Sequence, residues 1–303
     1  MEEVRDLRRV LSDVGKPAVF LLCSLSLALV GTFRNFGYDL NGADGVRGIY
    51  PDVADGWGAW HWLAQLGLNF DLYFFVLSLL LSVGIMTLAF RAGRGDGSFP
   101  VSLTLAIYLI FWFLFAQTRY GTAVVFVCLA VAANSIWLFA ISVAVGFFFH
   151  RAIAGGALLV AAWLILRNRK WGLILAAVLS CMLAYIIFSQ ADKILLLTAY
   201  SNYKGLELNA PANTPLKYYF DIAILVLWKC FNRKAPHDLL VLAVLFLPTS
   251  YYIVFAGRAH EFYSTIFLSC LLTSPAPRLV KYAILAEYLF DVGMLAFGSG
   301  AFF

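Results

Sequence analysis

The chain has 303 residues, 62 % hydrophobic and 13 % charged, with a formal net charge of +5 and a mean hydropathy of +0.84. A soluble domain runs nearer half apolar and a quarter charged, so this is the composition of an integral membrane protein. The basic residues sit in short clusters between apolar runs, where topology signals belong, which argues against a nucleic-acid partner. Five scattered cysteines, with no CxxC and no histidine at ligand spacing, argue against a disulfide framework and a zinc site.

In chain order, a charged segment (Glu2, Glu3, Arg5, Asp6, Arg8, Arg9) leads into an apolar run from Pro17 to Phe33 without a small-x-small cleavage site. That pattern predicts an uncleaved signal-anchor helix. Further spans are predicted over 71–90, 100–116, 119–134, 136–149, 151–166, 171–189, 216–231, 238–255, 260–274 and 279–298. The ambiguous stretch is Ile136 to Leu166. As one helix it would run about 46 Å, beyond a hydrocarbon core of about 30 Å, and it holds His150 and Arg151 at its middle.

Charge asymmetry decides between the two counts. With the N-terminus cytoplasmic, eleven spans place five basic clusters inside: Arg5 to Lys16, Arg91 and Arg94, Arg167 to Lys170, Lys229 to Lys234, and Arg278 with Lys281. These hold fourteen of the 22 basic residues. Merging 136–166 reverses the bias, so two helices are expected there. The expected architecture is one integral membrane domain over 1–303, an all-α bundle of about 11 spans. Two long outer loops cover about 34–70 and 190–215, with tight outer turns at 117–119, 150–151 and 256–259.

The first outer loop mixes Asp39, Asp44, Asp52 and Asp55 with Arg47, Tyr50, Trp57, Trp60 and Trp62. Aromatic faces stack on sugar rings and carboxylates bind hydroxyls, which makes Asp39, Asp44, Arg47, Tyr50 and Trp60 candidate substrate contacts. An interfacial aromatic belt with solvated acids is the other reading. The second loop repeats the mixture with Tyr200 and Tyr203. Arg119, His150/Arg151 and Arg258/His260 each mark an outer turn, and three such turns have room to meet at one anionic ligand. Snorkelling to headgroups is the competing account, most of all for Arg151. Glu287 and Asp291 share a face of the last span, as a functional acid pair or as a register tie. Asp221, four residues after Lys217, is expected to pair with it.

The order of these features resembles a known family. An Asp-rich, Tyr-bearing first loop leads into "GWGAWHWLAQLGLNFDLYFFVLSLLL", followed by the turn "AQTRYGTAVVF", the span end "GFFFHRAIAGGALLV" and the late "AGRAHEFYSTIF". This is similar to the EpsG-like exopolysaccharide and O-antigen polymerases, the smaller relatives of Wzy-type enzymes, over roughly residues 36 to 270. "TRYGTA" lacks the second glutamine that often follows the arginine in these proteins.

The resemblance implies a GT-C-like bundle in the bacterial inner membrane. It implies an enzyme joining oligosaccharide repeat units carried on undecaprenyl pyrophosphate, with a chain-length-regulating co-polymerase as a possible partner besides the lipid bilayer. It carries over Arg119, Phe149 with His150, and Arg258 as residues facing the outer site. Acceptor attack on the donor's anomeric carbon needs a base, which His150 or His260 supplies, and fixed cations for the leaving pyrophosphate, which Arg119 and Arg258 supply. No metal or other cofactor is expected. Two alternatives stand beside it: a lipid-linked-sugar flippase or transporter using Glu287 and Asp291, and a metal-dependent GT-C transferase using Asp39 or Asp44. The spacing "DLNGAD" is looser than an acidic metal motif, and no repeated halves of a transporter are visible.

Overall fold

The computed structural model describes residues 2–33, 67, 69–96, 99–115, 118–149, 153–197, 215–231, 237–251, 253–274 and 276–298. Among them eleven α-helices follow one another and no strand occurs. They are α1 (Glu2–Phe33), α2 (Phe70–Asp96), α3 (Phe99–Leu109), α4 (Thr118–Ala132), α5 (Ile136–Phe149) and α6 (Ile153–Leu166). Then come α7 (Gly172–Leu197), α8 (Pro215–Phe231), α9 (His237–Phe246), α10 (Ile253–Thr273) and α11 (Arg278–Gly298). A π-helical segment, Ile110–Phe115, extends α3, and a 3₁₀ turn, Leu247–Tyr251, extends α9.

The separation of α5 from α6 agrees with the charge argument. Three boundaries differ from the sequence expectation. α1 begins at Glu2, not at the start of the apolar run, because the charged segment contains no glycine until position 15 and joins the run in helical phase. α7 continues to Leu197 through "SQADKILLL", which has no helix breaker. α10 begins at Ile253, where the expected span begins at residue 260. Gly257 looks like the break in the sequence, but Pro248 provides it. Proline lacks the donor that would continue α9, and Thr249 Oγ1 donates to the Phe246 carbonyl at 2.6 Å within the tighter turn.

The outer surface is strongly apolar, and a minority of polar side chains shares the apolar core. Leu22, Trp137, Leu158, Ile165, Trp171, Leu279 and Phe290 are all more than 60 % exposed, while Ser78, Ser82, Thr122, Asp221, Ser264 and Thr265 have no exposed surface. Apolar side chains outside and polar ones inside is the arrangement that hydrocarbon surroundings favour. Among the described residues Asp71–Gly93 alone is long and apolar enough to cross a bilayer by itself. Seven further apolar helices run 10–17 residues.

The centre is α10, which packs against α2, α3, α4, α6 and α9. Every residue from His260 to Ser269 is buried, so this helix has no outward face over almost three turns. One end of the bundle is closed by cations on helix ends. Arg91 Nη2 donates to the last carbonyl of α4, Ala132, at 2.8 Å, and the buried Lys281 Nζ donates to the Leu272 carbonyl near the end of α10 at 3.0 Å. Both complete carbonyls that a helix terminus leaves without an intrahelical donor. Arg167 Nη2 donates to Asn134 Oδ1 at 2.6 Å, with its guanidinium 5.1 Å above the Trp163 ring. Trp163 Nε1 in turn donates to the Asp238 carbonyl at 2.8 Å. Every helix end joined by these bonds belongs on one side of a chain that alternates direction.

Candidate functional site

At the opposite end, the first turn of α4 carries Arg119 as its second residue. The π segment that precedes it widens the backbone spiral, a feature frequent at functional sites. Gly121 lets the Phe113 ring lie against the α4 backbone, since a Cβ there would run into it. Phe113 meets Tyr120 edge-on at 6.4 Å. Thr118 Oγ1 donates to the Leu114 carbonyl at 3.2 Å, and Thr122 Oγ1 donates to the Thr118 carbonyl at 2.7 Å. The backbone bearing Arg119 is therefore held on both sides of the residue.

One turn deeper, small residues bring four helices together. A Cβ on Gly146 would stand 2.7 Å from Ile153 Cδ1 and 3.1 Å from Ala123 Cβ. A Cβ on Gly156 would stand 2.7 Å from Phe262 Cγ. α4 thus meets α5, α5 meets α6, and α6 meets α10, while α4 and α10 also pack directly. Ala123 lies four residues after Arg119, Gly146 four before His150, and Phe262 four after Arg258. Four residues make about one helical turn, so this close-packed layer lies one turn inside the candidate residues of α4 and α10.

The grouping of Arg258 with His260 in one turn needs correction. Both belong to the continuous α10, and two residues of helix separate them by about 200° around its axis. His260 is 4 % exposed and belongs to another neighbourhood. Its ring meets Tyr218 of α8 edge-on at 5.7 Å, and its Nε2 lies 3.4 Å from Ser264 Oγ.

That neighbourhood is a buried polar cluster centred on Asp221. The expected pair with Lys217 involves a side chain outside the described ones, and the bonds that the structure shows to Asp221 run across helices. Tyr263 of α10 donates to Asp221 Oδ2 at 3.0 Å, and Tyr288 of α11 donates to the same oxygen at 3.4 Å. Tyr218 stacks on Tyr263 with ring centroids 4.7 Å apart, and Tyr108 of α3 meets Tyr288 at 5.1 Å. Glu287 lies close enough to act electrostatically on Tyr263. The buried Glu261, 3 % exposed, sits on α10 between the two neighbourhoods. The role of Asp221 and the presence of Glu261 in the core are absent from the sequence reading. The available signal was a carboxylate inside an apolar helical run, the same signal that marks Glu287.

His150 and Arg151 lie outside the described residues, bracketed by the end of α5 and the start of α6. Asp39, Asp44, Arg47, Tyr50, Trp60, Tyr200 and Tyr203 also lie outside them. Arg119, Arg258 and Asp291 belong to described helices, α4, α10 and α11.

No curated protein and no solved structure gives a significant match to the chain. The sequence model of the EpsG family matches residues 48–290, most of the chain, including α2 to α10 and the larger part of α11. The chain belongs to the EpsG family.

Proposed function

We propose that this chain is a polysaccharide polymerase that joins undecaprenyl-pyrophosphate-linked repeat units at the outer face of the bacterial inner membrane. The family is one of exopolysaccharide biosynthesis and membrane location, which supports the class of activity. The proposal adds an eleven-span GT-C-like topology with a cytoplasmic N-terminus, and it adds the site. The observation that carries the site is the close-packed layer of Ala123, Gly146, Gly156 and Phe262, one turn inside Arg119 and Arg258.

In this reading the acceptor sugar hydroxyl attacks the donor's anomeric carbon. The bond from that carbon to the pyrophosphate oxygen breaks, and the lipid pyrophosphate departs with the electron pair. Arg119 and Arg258, on helices that touch, meet the growing negative charge with guanidinium forks suited to phosphate oxygens. The base that takes the hydroxyl proton is His150, which follows α5 and precedes α6 in the chain. His260 is not given that role, because it stands about 200° around α10 from Arg258. The loop residues Asp39, Asp44, Arg47, Tyr50, Trp60, Tyr200 and Tyr203 bind the sugar units.

The test is the chain-length ladder of surface polysaccharide made in cells by variants of matched expression. Losing one charge-assisted contact in a dry site costs on the order of 2–4 kcal/mol, or roughly 30- to 1000-fold in rate. Arg119→Ala is expected to abolish long polymer, while Arg151→Ala, assigned to headgroup contact, retains it. Normal ladders from Arg119→Ala would reduce that arginine to a membrane anchor. The transporter reading has one observation in its favour, the approach of Glu287 to the Asp221 cluster.

A further inference from the structure

The geometry points to Asp221 and Tyr263 as positioning residues that set the rotation of α10 and thereby aim Arg258 at the donor pyrophosphate. The inference rests on the polymerase reading and assigns it Tyr263, on the face of α10 away from the proposed site, and its partner Asp221 on α8.

The argument starts from how α10 is held. On one side Phe262 presses on Gly156 with no room for another carbon, and its ring stacks on Phe246 at 6.4 Å and 18°. On another side Tyr263 is stacked on Tyr218 and bonded through its hydroxyl to Asp221 at 3.0 Å. Asp221 and Tyr218 are three residues apart on α8, so the ring and the hydroxyl of Tyr263 are both referred to one helix. The Tyr263 bond is the directional contact among these. Ring stacking and van der Waals contact tolerate sliding, whereas a hydrogen bond to a buried carboxylate weakens steeply once misaligned. The carboxylate itself has no exposed surface.

A small rotation matters at the other side of the helix. A side chain about 5–6 Å from the axis moves about 2 Å when α10 turns by roughly 20°. A misplacement of about 1 Å at a reacting centre can cost about 100-fold. Arg258 lies five residues before Tyr263 on the same continuous helix, so an error at Tyr263 is carried to it. Tyr288 of α11 bonds the same Asp221 oxygen and also reaches Ser264 of α10, so it shares in holding this helix. A bond between two other helices separates positioning from cohesion: Ser180 Oγ of α7 donates to the Val244 carbonyl of α9.

The experiment uses the purified full chain in liposomes with undecaprenyl-pyrophosphate-linked repeat units as donor and acceptor. Turnover is measured for Tyr263→Phe and Ser180→Ala, each in the native background and with Arg258→Lys. Phenylalanine keeps the ring and its stacking, so folding is retained, and a thermal melt records each variant's stability. Tyr263→Phe is expected to lower turnover about tenfold, and Ser180→Ala by no more than about twofold, with comparable losses of melting temperature. Lysine is a point charge on a flexible stem and less dependent on aim, so in the Arg258→Lys background the Tyr263→Phe penalty should shrink to about twofold. Equal turnover losses for Tyr263→Phe and Ser180→Ala, or a Tyr263→Phe penalty undiminished by Arg258→Lys, overturn the positioning role alone. A wild-type protein that makes no polymer from this donor overturns the polymerase reading and the inference with it.

Discussion

Under the proposed function the two ends of the helical bundle use basic side chains in opposite ways. At one end Arg91, Arg167 and Lys281 each donate to an oxygen at a helix end, namely the Ala132 carbonyl, Asn134 Oδ1 and the Leu272 carbonyl. Those cations hold helices together. At the other end, among the described residues, Gly146 packs against Ala123 and Ile153, and Gly156 against Phe262. There the proposed function assigns the arginines of α4 and α10 to substrate. An arginine in a membrane protein is thus read by whether a neighbouring helix end requires it.

The comparison is tested most severely by the pair of proposed substrate arginines. Arg119→Ala and Arg258→Ala should each lower turnover roughly 30- to 1000-fold, and the double variant should be less than additive because both serve one leaving group. Arg119→Lys keeps the charge and loses the fork, so it should be impaired and not silent. Additive losses in the double variant would mean two separate ligands.

Next in size is the glycine layer. Gly156→Ala places a carbon 2.7 Å from Phe262 Cγ, and overpacking of this kind costs about 1–3 kcal/mol. Because the layer carries the site, a lowered melting temperature should come with shortened polymer. A less stable protein with normal ladders would detach the layer from the chemistry.

The opposite end should show the reverse pattern. Arg167→Ala removes the bond to Asn134 and the contact with Trp163 and should cost about 1 kcal/mol of stability while turnover of the folded protein is unchanged. A large loss of turnover there would erase the distinction between the ends. The smallest expected effect belongs to Glu287→Gln combined with Asp291→Asn, which should leave polymer synthesis near normal if these acids only hold helix register. Loss of all polymer at normal protein level would move the assignment towards transport.

Much of this was legible in the sequence where one residue decides the outcome. The His150–Arg151 pair and the balance of basic clusters separate two helices in a 31-residue apolar stretch, as Phe149 and Ile153 now bound them. The start of α10 was not legible, because Gly257 and Pro248 are both breakers and local propensity does not rank them against tertiary packing. α10 is buried from His260 to Ser269, and that packing carries the helix through the glycine. The Asp221 cluster was hidden for a related reason. Lys217 at the i−4 position offers a local partner in sequence, whereas Tyr263 and Tyr288 are 42 and 67 residues away. Only the packing of α8, α10 and α11 brings them together.

The central claim is bond formation with release of lipid pyrophosphate, and one stoichiometry tests it directly. Liposomes holding the purified chain and radiolabelled undecaprenyl-pyrophosphate-linked repeat units should yield polymer together with free undecaprenyl pyrophosphate, one carrier released per new glycosidic bond. The Arg119→Ala protein should yield neither. Movement of intact lipid-linked units across the bilayer, with no carrier released and no polymer formed, would contradict the account and make this chain a transporter.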